Sequence, residues 1–318
     1  MARVVPEDHV ADLVLDLRAE LGEGPVWDPI AACLYFVDIL RGRVHRFDPA
    51  TRALRTCETG CSVGAVAPTG RGDLVLAVRD GFARLDLSGS RFNGADTPVR
   101  PDEWSRPYSS GRIEMIAEVE ADRPDQRMND GKCDAAGRFW AGTMALDERG
   151  GAGALYRLDP DGHVETMIDG VTISNGLDWS DDGRLMYFID TPTQSVDVFD
   201  FDLASGRIAN RRPFARIDPV DGAPDGLTLD AEGFVWVALW GGSGVRRYAP
   251  DGALDSIVRV PATYVTSCAF GGADLGDLYI TTARIKLSEA DRASQPLAGG
   301  LFRARPGVSG RPPHRFSG

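Results

Sequence analysis

Six segments of the chain share one position that suggests oxygen-ligand chemistry. The residues there are Glu23, Val63, Asn129, Asn175, Asp225 and Ser267, and glycine follows directly at Gly24, Gly64, Gly176 and Gly226. Two carboxylates and two amide oxygens are hard donors. They suit Ca²⁺, Mg²⁺ or Mn²⁺, and less typically Zn²⁺ or Fe²⁺. Carboxylates converging out of water repel one another unless a cation lies between them. Asn-Gly and Asp-Gly are also common turn formers, which accounts equally well for any single position. Five polar residues in one register favour a site.

The elements that must position them are short strands. Thirty-seven glycines and 20 prolines break up the 318 residues, and β-type runs rich in Val, Ile, Tyr, Phe and Trp recur. Equivalent runs begin at Leu34, Leu74, Phe139, Met186, Val235 and Leu278. Each follows a short polar turn and an earlier strand (around Val26, Val66, Cys133, Asp178, Thr228 and Phe270). Each precedes a third (around His45, Leu85, Tyr156, Asp197, Arg246 and Phe302). Multi-strand repeats of about 40–50 residues mark a β-propeller. The sequence therefore predicts an all-β, six-bladed propeller forming one domain over residues 1–318. Leu13-Val14-Leu15-Asp16-Leu17 is expected to complete the last blade. An insertion at about residues 90–112, with Trp104 and Tyr108, is either a lid or a plain surface excursion. The tail from Pro306 to Gly318 reads as a frayed end.

Composition narrows the partners. Forty-seven acidic residues against 35 basic ones give a net charge of -12, the wrong sign for a phosphate backbone or an anionic membrane surface. No apolar run is long enough to span a bilayer. The first residues lack a signal-peptide core. Five scattered cysteines suit a reducing compartment, so a cytoplasmic protein is expected. Gly60-Cys61-Ser62-Val63-Gly64 matches the nucleophile-elbow pattern, but the elbow requires a strand-turn-helix setting, and another β-type run follows here. The four histidines (His9, His45, His163, His314) lie outside the shared register. Cys57 and Cys61 have no second cysteine pair to complete a zinc cluster.

Several segments together resemble the SMP-30/gluconolactonase/luciferin-regenerating-enzyme family. They are Leu21-Gly22-Glu23-Gly24-Pro25-Val26-Trp27, Arg127-Met128-Asn129-Asp130-Gly131-Lys132, Ala141-Gly142-Thr143-Met144, Ile173-Ser174-Asn175-Gly176, Pro224-Asp225-Gly226 and Thr266-Ser267-Cys268. The similarity runs from about residue 13 to 305 and weakens in the second repeat. It implies a six-bladed propeller in which Glu23, Asn175 and Asp225 ligate one divalent cation (Ca, Zn, Mn, Mg or Fe(II)). It implies that Arg127 and Asn129 hold the substrate. A further acidic residue follows the Ala-Gly-Thr-Met segment in the family, and Asp147 falls there, with Glu148 as its alternative.

The expected activity is hydrolysis of a sugar lactone such as gluconolactone. The metal would polarise the carbonyl, and Asp225 or a water held on the metal would activate attack. Two other readings stay open at this point. One is an organophosphate or aryl-ester hydrolase on the same scaffold; the other is a metal-binding propeller without catalysis.

Overall fold

The computed structural model describes residues 7–87 and 112–318. The expected insertion at 90–112 thus lies outside the described residues, apart from Arg112 at the start of a strand. Nearly all regular structure is β-strand, and the one α-helix among the described residues is α1 (Glu289–Ser294). The chain divides into two compact units: Met1–Gly22 with Gly176–Arg311, and Glu23–Asn175 with Pro312–Gly318.

The first unit opens on β1 (Glu7–Val10) and β2 (Asp12–Leu15). The second unit follows with three four-stranded antiparallel sheets. These are β3 (Gly22–Asp28) to β6, with β4 (Cys33–Asp38), β5 (Arg43–Asp48) and β6 (Ala53–Glu58); β7 (Val63–Pro68) to β10, with β8 (Leu74–Val78), β9 (Gly81–Asp86) and β10 (Arg112–Glu118); and β11 (Gln126–Cys133) to β14, with β12 (Phe139–Ala145), β13 (Gly153–Leu158) and β14 (Val164–Val171). The chain then returns to the first unit. A four-stranded sheet runs from β15 (Ser174–Trp179) through β16 (Leu185–Asp190) and β17 (Ser195–Asp202) to β18 (Arg207–Arg216). The remaining strands are β19 (Ala223–Leu229), β20 (Val235–Trp240), β21 (Gly244–Tyr248), β22 (Leu254–Arg259), β23 (Tyr264–Gly271), β24 (Asp277–Ala283) and β25 (Leu301–Ala304). They join β1 and β2 in a nine-stranded sheet whose two halves meet at a single cross-strand pair, Trp240 with Tyr264. β2 pairs with β25, as expected of the strand near Leu13. β1, which the sequence did not announce, adds in parallel to β22.

Every short β-type run read from the sequence lies within or overlaps a strand. The second strand of each group is mostly apolar and buried: β8 is Leu-Val-Leu-Ala-Val, buried throughout, and β4 and β12 are likewise buried along their length. The outer strands differ. β14 exposes half of its residues and β18 most of its own, as outer strands facing solvent do. In the second unit one apolar cluster joins Ala65, Val75, Phe82, Met128, Phe139, Leu158 and Phe316. In the first, Trp236, Val245, Val265, Phe270, Ile280 and Phe302 form another.

Two inner hairpins are closed in the same way. Asp134 Oδ1 accepts from the N–H groups of Ala136 and Arg138, and its Oδ2 accepts from Trp140 Nε1 at 2.9 Å. Asp230 repeats this with Glu232, Phe234 and Trp236 Nε1, again at 2.9 Å. These buried acids are therefore satisfied turn-formers.

The tail departs from expectation. Residues 306–318 are ordered against the inner turns and are not frayed. In the first unit Ala231 N donates to Ser309 O, Gly310 N to Leu275 O and Arg311 Nη2 to Trp179 O. In the second, Phe316 is 1% exposed, its N–H donates to Pro68 O, and Arg315 pairs with Asp28. Backbone pairing and burial of one large aromatic hold a segment whose Pro and Gly content reads as loose.

Candidate active site

β-Bulges shape the inner strands at the shared register. In β11, Met128 faces Thr143 and the next pair is Gly131 with Ala141, so Asn129 and Asp130 form the bulge. In β19, Pro224 faces Leu239 and the next pair is Leu227 with Val237, so Asp225 and Gly226 form it. β7 slips between Val63 and Ala65, and β23 between Val265 and Ser267. A bulge turns side chains out of the regular alternation, and such irregularities concentrate beside active sites.

The glycines of the register have a steric cause. Within the second unit, a Cβ on Gly64 would lie 2.2 Å from Asn129 O. Within the first, one on Gly176 would lie 2.7 Å from Asp225 O, and one on Gly226 would lie 2.1 Å from Ser267 Oγ. Consecutive inner strands thus approach too closely for any side chain at those positions. Gly24 additionally has φ +52, and its N–H donates to Glu23 Oε2 at 2.8 Å. The left-handed turn folds the Glu23 carboxylate back over the backbone and fixes its direction.

The second unit brings three of the expected residues into one buried chain. Arg127 Nη1 donates to Asn129 Oδ1 at 2.6 Å and to Met128 O at 3.0 Å. Asn129 Nδ2 donates to Ser174 O at 2.8 Å and to Asn175 Oδ1 at 3.3 Å. Exposures are 8% for Arg127, 5% for Asn129 and 4% for Asn175. Glu23, in the same unit, is also buried, and in the first unit so is Asp225 on its bulge. Asp147 differs: it stands exposed in the loop after β12 and accepts from Arg149 Nη1 at 3.0 Å, while Arg149 also holds Asp125. Glu148 beside it takes a left-handed backbone, φ +58.

Two buried residues were missed at the sequence level. Asp130 shares the bulge with Asn129, and its Oδ1 accepts from Gly131 N at 2.7 Å. Ser174 is fully buried, and its Oγ has no hydrogen-bond partner. A Cβ on Gly142 would overlap that hydroxyl, which explains the glycine in Ala141-Gly142-Thr143-Met144. The signal for Asp130 was the polar pair Asn129-Asp130 just before glycine.

The donor chemistry fits a hard cation: two buried carboxylates and an amide oxygen. Among the described residues no three His, Cys, Asp or Glu side chains cluster as a site built from those types alone would require. The expected set holds only two of them.

Competing nucleophiles are disarmed. Burial pushes the Cys133 thiol well above its usual range. Burial, with Arg43 and Arg41 nearby, lowers the His45 pKa to about 3, so its ring is neutral. Ser62 stands just before β7 and is followed by strand, so the elbow pattern lacks its helix.

A nearly all-β chain of repeated antiparallel sheets, with a buried Arg–Asn–Asn hydrogen-bond chain beside a strand bulge, has the make-up of a propeller-like protein. A family model described as SMP-30/gluconolactonase/LRE-like region matches residues 21–284. The chain is 41% identical over 309 residues to a Bacillus subtilis protein provisionally named sugar lactone lactonase YvrE, covering 97% of this chain and 99% of that one. It is 39% identical to regucalcin of Danio rerio over 311 residues, 96% and 98% of the two chains. A crystal structure of a calcium-binding protein, regucalcin, from Agrobacterium tumefaciens superimposes with a TM-score of 0.89 at 27% identity, covering 99% of both. The chain belongs to the SMP-30/gluconolactonase/LRE-like family.

Proposed function

We propose that the protein is a metal-dependent sugar lactonase that opens an aldonolactone such as gluconolactone by hydrolysis. The observation that carries this reading is the buried Arg127–Asn129–Asn175 chain at an inner-strand bulge in a protein of this family. The name of the Bacillus relative supports the reaction class. The accompanying fold reading is a six-bladed propeller in one domain over residues 1–318. Dividing the nine-stranded sheet at its Trp240–Tyr264 pair leaves β19–β22 with β1 added at the edge, and β23–β25 with β2, so each unit holds three groups built on four antiparallel strands, which supports that count. Five free cysteines accord with a cytoplasmic setting.

The family resemblance assigns Glu23, Asn175 and Asp225 to one divalent cation, with calcium, zinc, manganese, magnesium and iron(II) all compatible with oxygen donors. When bound, such an ion polarises a carbonyl and acidifies water. The chain's own residues supply the remainder. Asp225 accepts the proton of the attacking water. Arg127 donates to the carbonyl oxygen as charge develops there, and its 2.6 Å contact with Asn129 fixes its direction. Asn129 and Asp147 meet sugar hydroxyls, and at Asp147 a hydroxyl would compete with Arg149. The proton then passes to the ring oxygen that leaves, and the product is the open-chain aldonic acid, which ionises to the aldonate and releases a proton to solvent.

Gluconolactone hydrolysis, followed by proton release in metal-depleted protein with and without each ion, tests the reading. Restoration by a divalent ion is expected. Equal rates in both samples, well above background, reject the metal role. Turnover of paraoxon without turnover of gluconolactone moves the assignment to phosphoester substrates.

A further inference from the structure

In the first unit, four residues stand in one cross-strand row at the edge that carries Asp225. Ala223 of β19 faces Trp240 at the end of β20. Trp240 faces Tyr264 at the start of β23, and Tyr264 faces Ala283 at the end of β24. Asp225 lies two residues along β19 from Ala223. At about 3.3 Å per residue and about 4.8 Å between strands, its backbone is on the order of 8 Å from that of Trp240.

The indole of Trp240 and the phenol of Tyr264 stack with centroids 4.3 Å apart and planes 25° from parallel. Both are half-buried, and Tyr264 packs on the apolar cluster beneath it, so the stack is anchored on one side and reaches solvent on the other. Lys286, just beyond β24, places Nζ 5.9 Å from the indole centroid. Its position is fixed by a left-handed backbone (φ +66) and by the N–H groups of Arg284 and Ile285, which both donate to Glu20 O. An aromatic stack with an adjacent ammonium offers a sugar two complementary contacts. The ring C–H groups meet π surface, and the hydroxyls meet a cationic donor.

We propose that Trp240, braced by Tyr264 and flanked by Lys286, is a specificity-determining wall that contacts the sugar moiety of the substrate. This inference rests on the lactonase reading. The competing role for Trp240 is purely to join β20 to β23, where it forms the one cross-strand pair.

The test is steady-state kinetics on gluconolactone, with circular dichroism and thermal melting of each variant. Trp240→Ala is expected to raise KM at least tenfold with kcat within about threefold of the parent, and Trp240→Phe to recover most of the KM. Lys286→Ala, an exposed loop substitution that leaves the strands untouched, is expected to raise KM about threefold; it decides the matter if Trp240→Ala fails to fold. Unchanged KM in a folded Trp240→Ala variant, or in Lys286→Ala when that variant alone is folded, overturns this inference and leaves the lactonase reading intact. Absence of lactone turnover by the unmodified chain overturns both.

Discussion

Asn129 and Asn175 lie 46 residues apart in the chain, yet Nδ2 of one donates to Oδ1 of the other across 3.3 Å. The contact exists because the β11 bulge turns Asn129 out of its ladder, toward the start of β15. The same amide holds Arg127 and Ser174 O, so one side chain orients the Arg127 guanidinium and the neighbouring strand.

Replacement of Asn129 by Ala should therefore act twice. Ser174 O loses a buried donor, which costs about 1–3 kcal/mol, and Arg127 loses the acceptor that aims it. Lactone kcat/KM is expected to fall at least about 100-fold, as when an oriented donor is removed from a developing oxyanion. Kinetics beside urea unfolding separate the two effects. A variant with near-parental kcat/KM contradicts the assigned roles.

Gly64→Ala tests the steric account of the register glycines. The new methyl would press on Asn129 O, a backbone atom that moves only with its strand. A loss of about 1–3 kcal/mol is expected from overpacking, together with a disproportionate loss of lactone turnover because the displaced atom belongs to Asn129. Ala at Gly233, where nothing lies within 4 Å, changes the backbone preference alone, at φ +83. That control should keep full activity, and equal activity in the two variants would refute the account.

The strand pattern was legible because three strands of each repeat bury apolar residues at fixed spacing. The fourth was not. Most of the β18 sequence Arg-Ile-Ala-Asn-Arg-Arg-Pro-Phe-Ala-Arg is exposed, and its assignment comes from pairing with β17, which composition does not encode. The shared register was legible from its Asn-Gly and Asp-Gly pairs, and the close approach of neighbouring strands forces the glycines of those pairs. Ser174 escaped notice because a serine beside Asn175-Gly176 reads as part of a turn and carries no periodic signal. Asp147 matched by position after Ala-Gly-Thr-Met, and position alone does not reveal that Arg149 takes up its charge. The tail misled because Pro and Gly suggest looseness, whereas Phe316 and Arg315 hold it by burial and pairing.

Phe316 gives a direct measure of that hold. It is among the largest fully buried side chains. Phe316→Ala is expected to cost about 3–5 kcal/mol while leaving lactone kcat/KM at 25 °C unchanged in the folded fraction. A urea midpoint within error of the parent would show the tail to be dispensable.

His45 sets a pH dependence of stability. Its ring stacks on Phe36 with centroids 4.8 Å apart, and its Nδ1 lies 2.8 Å from Thr56 Oγ1. Burial lowers its pKa from 6.5 to about 3 in the folded state. Between those values the unfolded chain binds a proton that the folded one rejects. The contribution is thus complete above pH 6.5 and falls as pH drops, by about 1.4 kcal/mol per unit until it levels near the folded value. Urea unfolding from pH 7 to 4, compared between the parent and His45→Gln, should show the parent losing stability faster by that slope. Parallel curves would contradict the buried neutral ring.

The most direct measurement is divalent-ion binding by calorimetry on metal-depleted protein, run beside gluconolactone turnover, for the parent, Glu23→Gln and Asp225→Asn. One ion per chain is predicted for the parent, binding at least tenfold weaker in either variant, and turnover that appears only as the ion binds. Undiminished binding in both variants, or full turnover with no ion bound, would contradict the account.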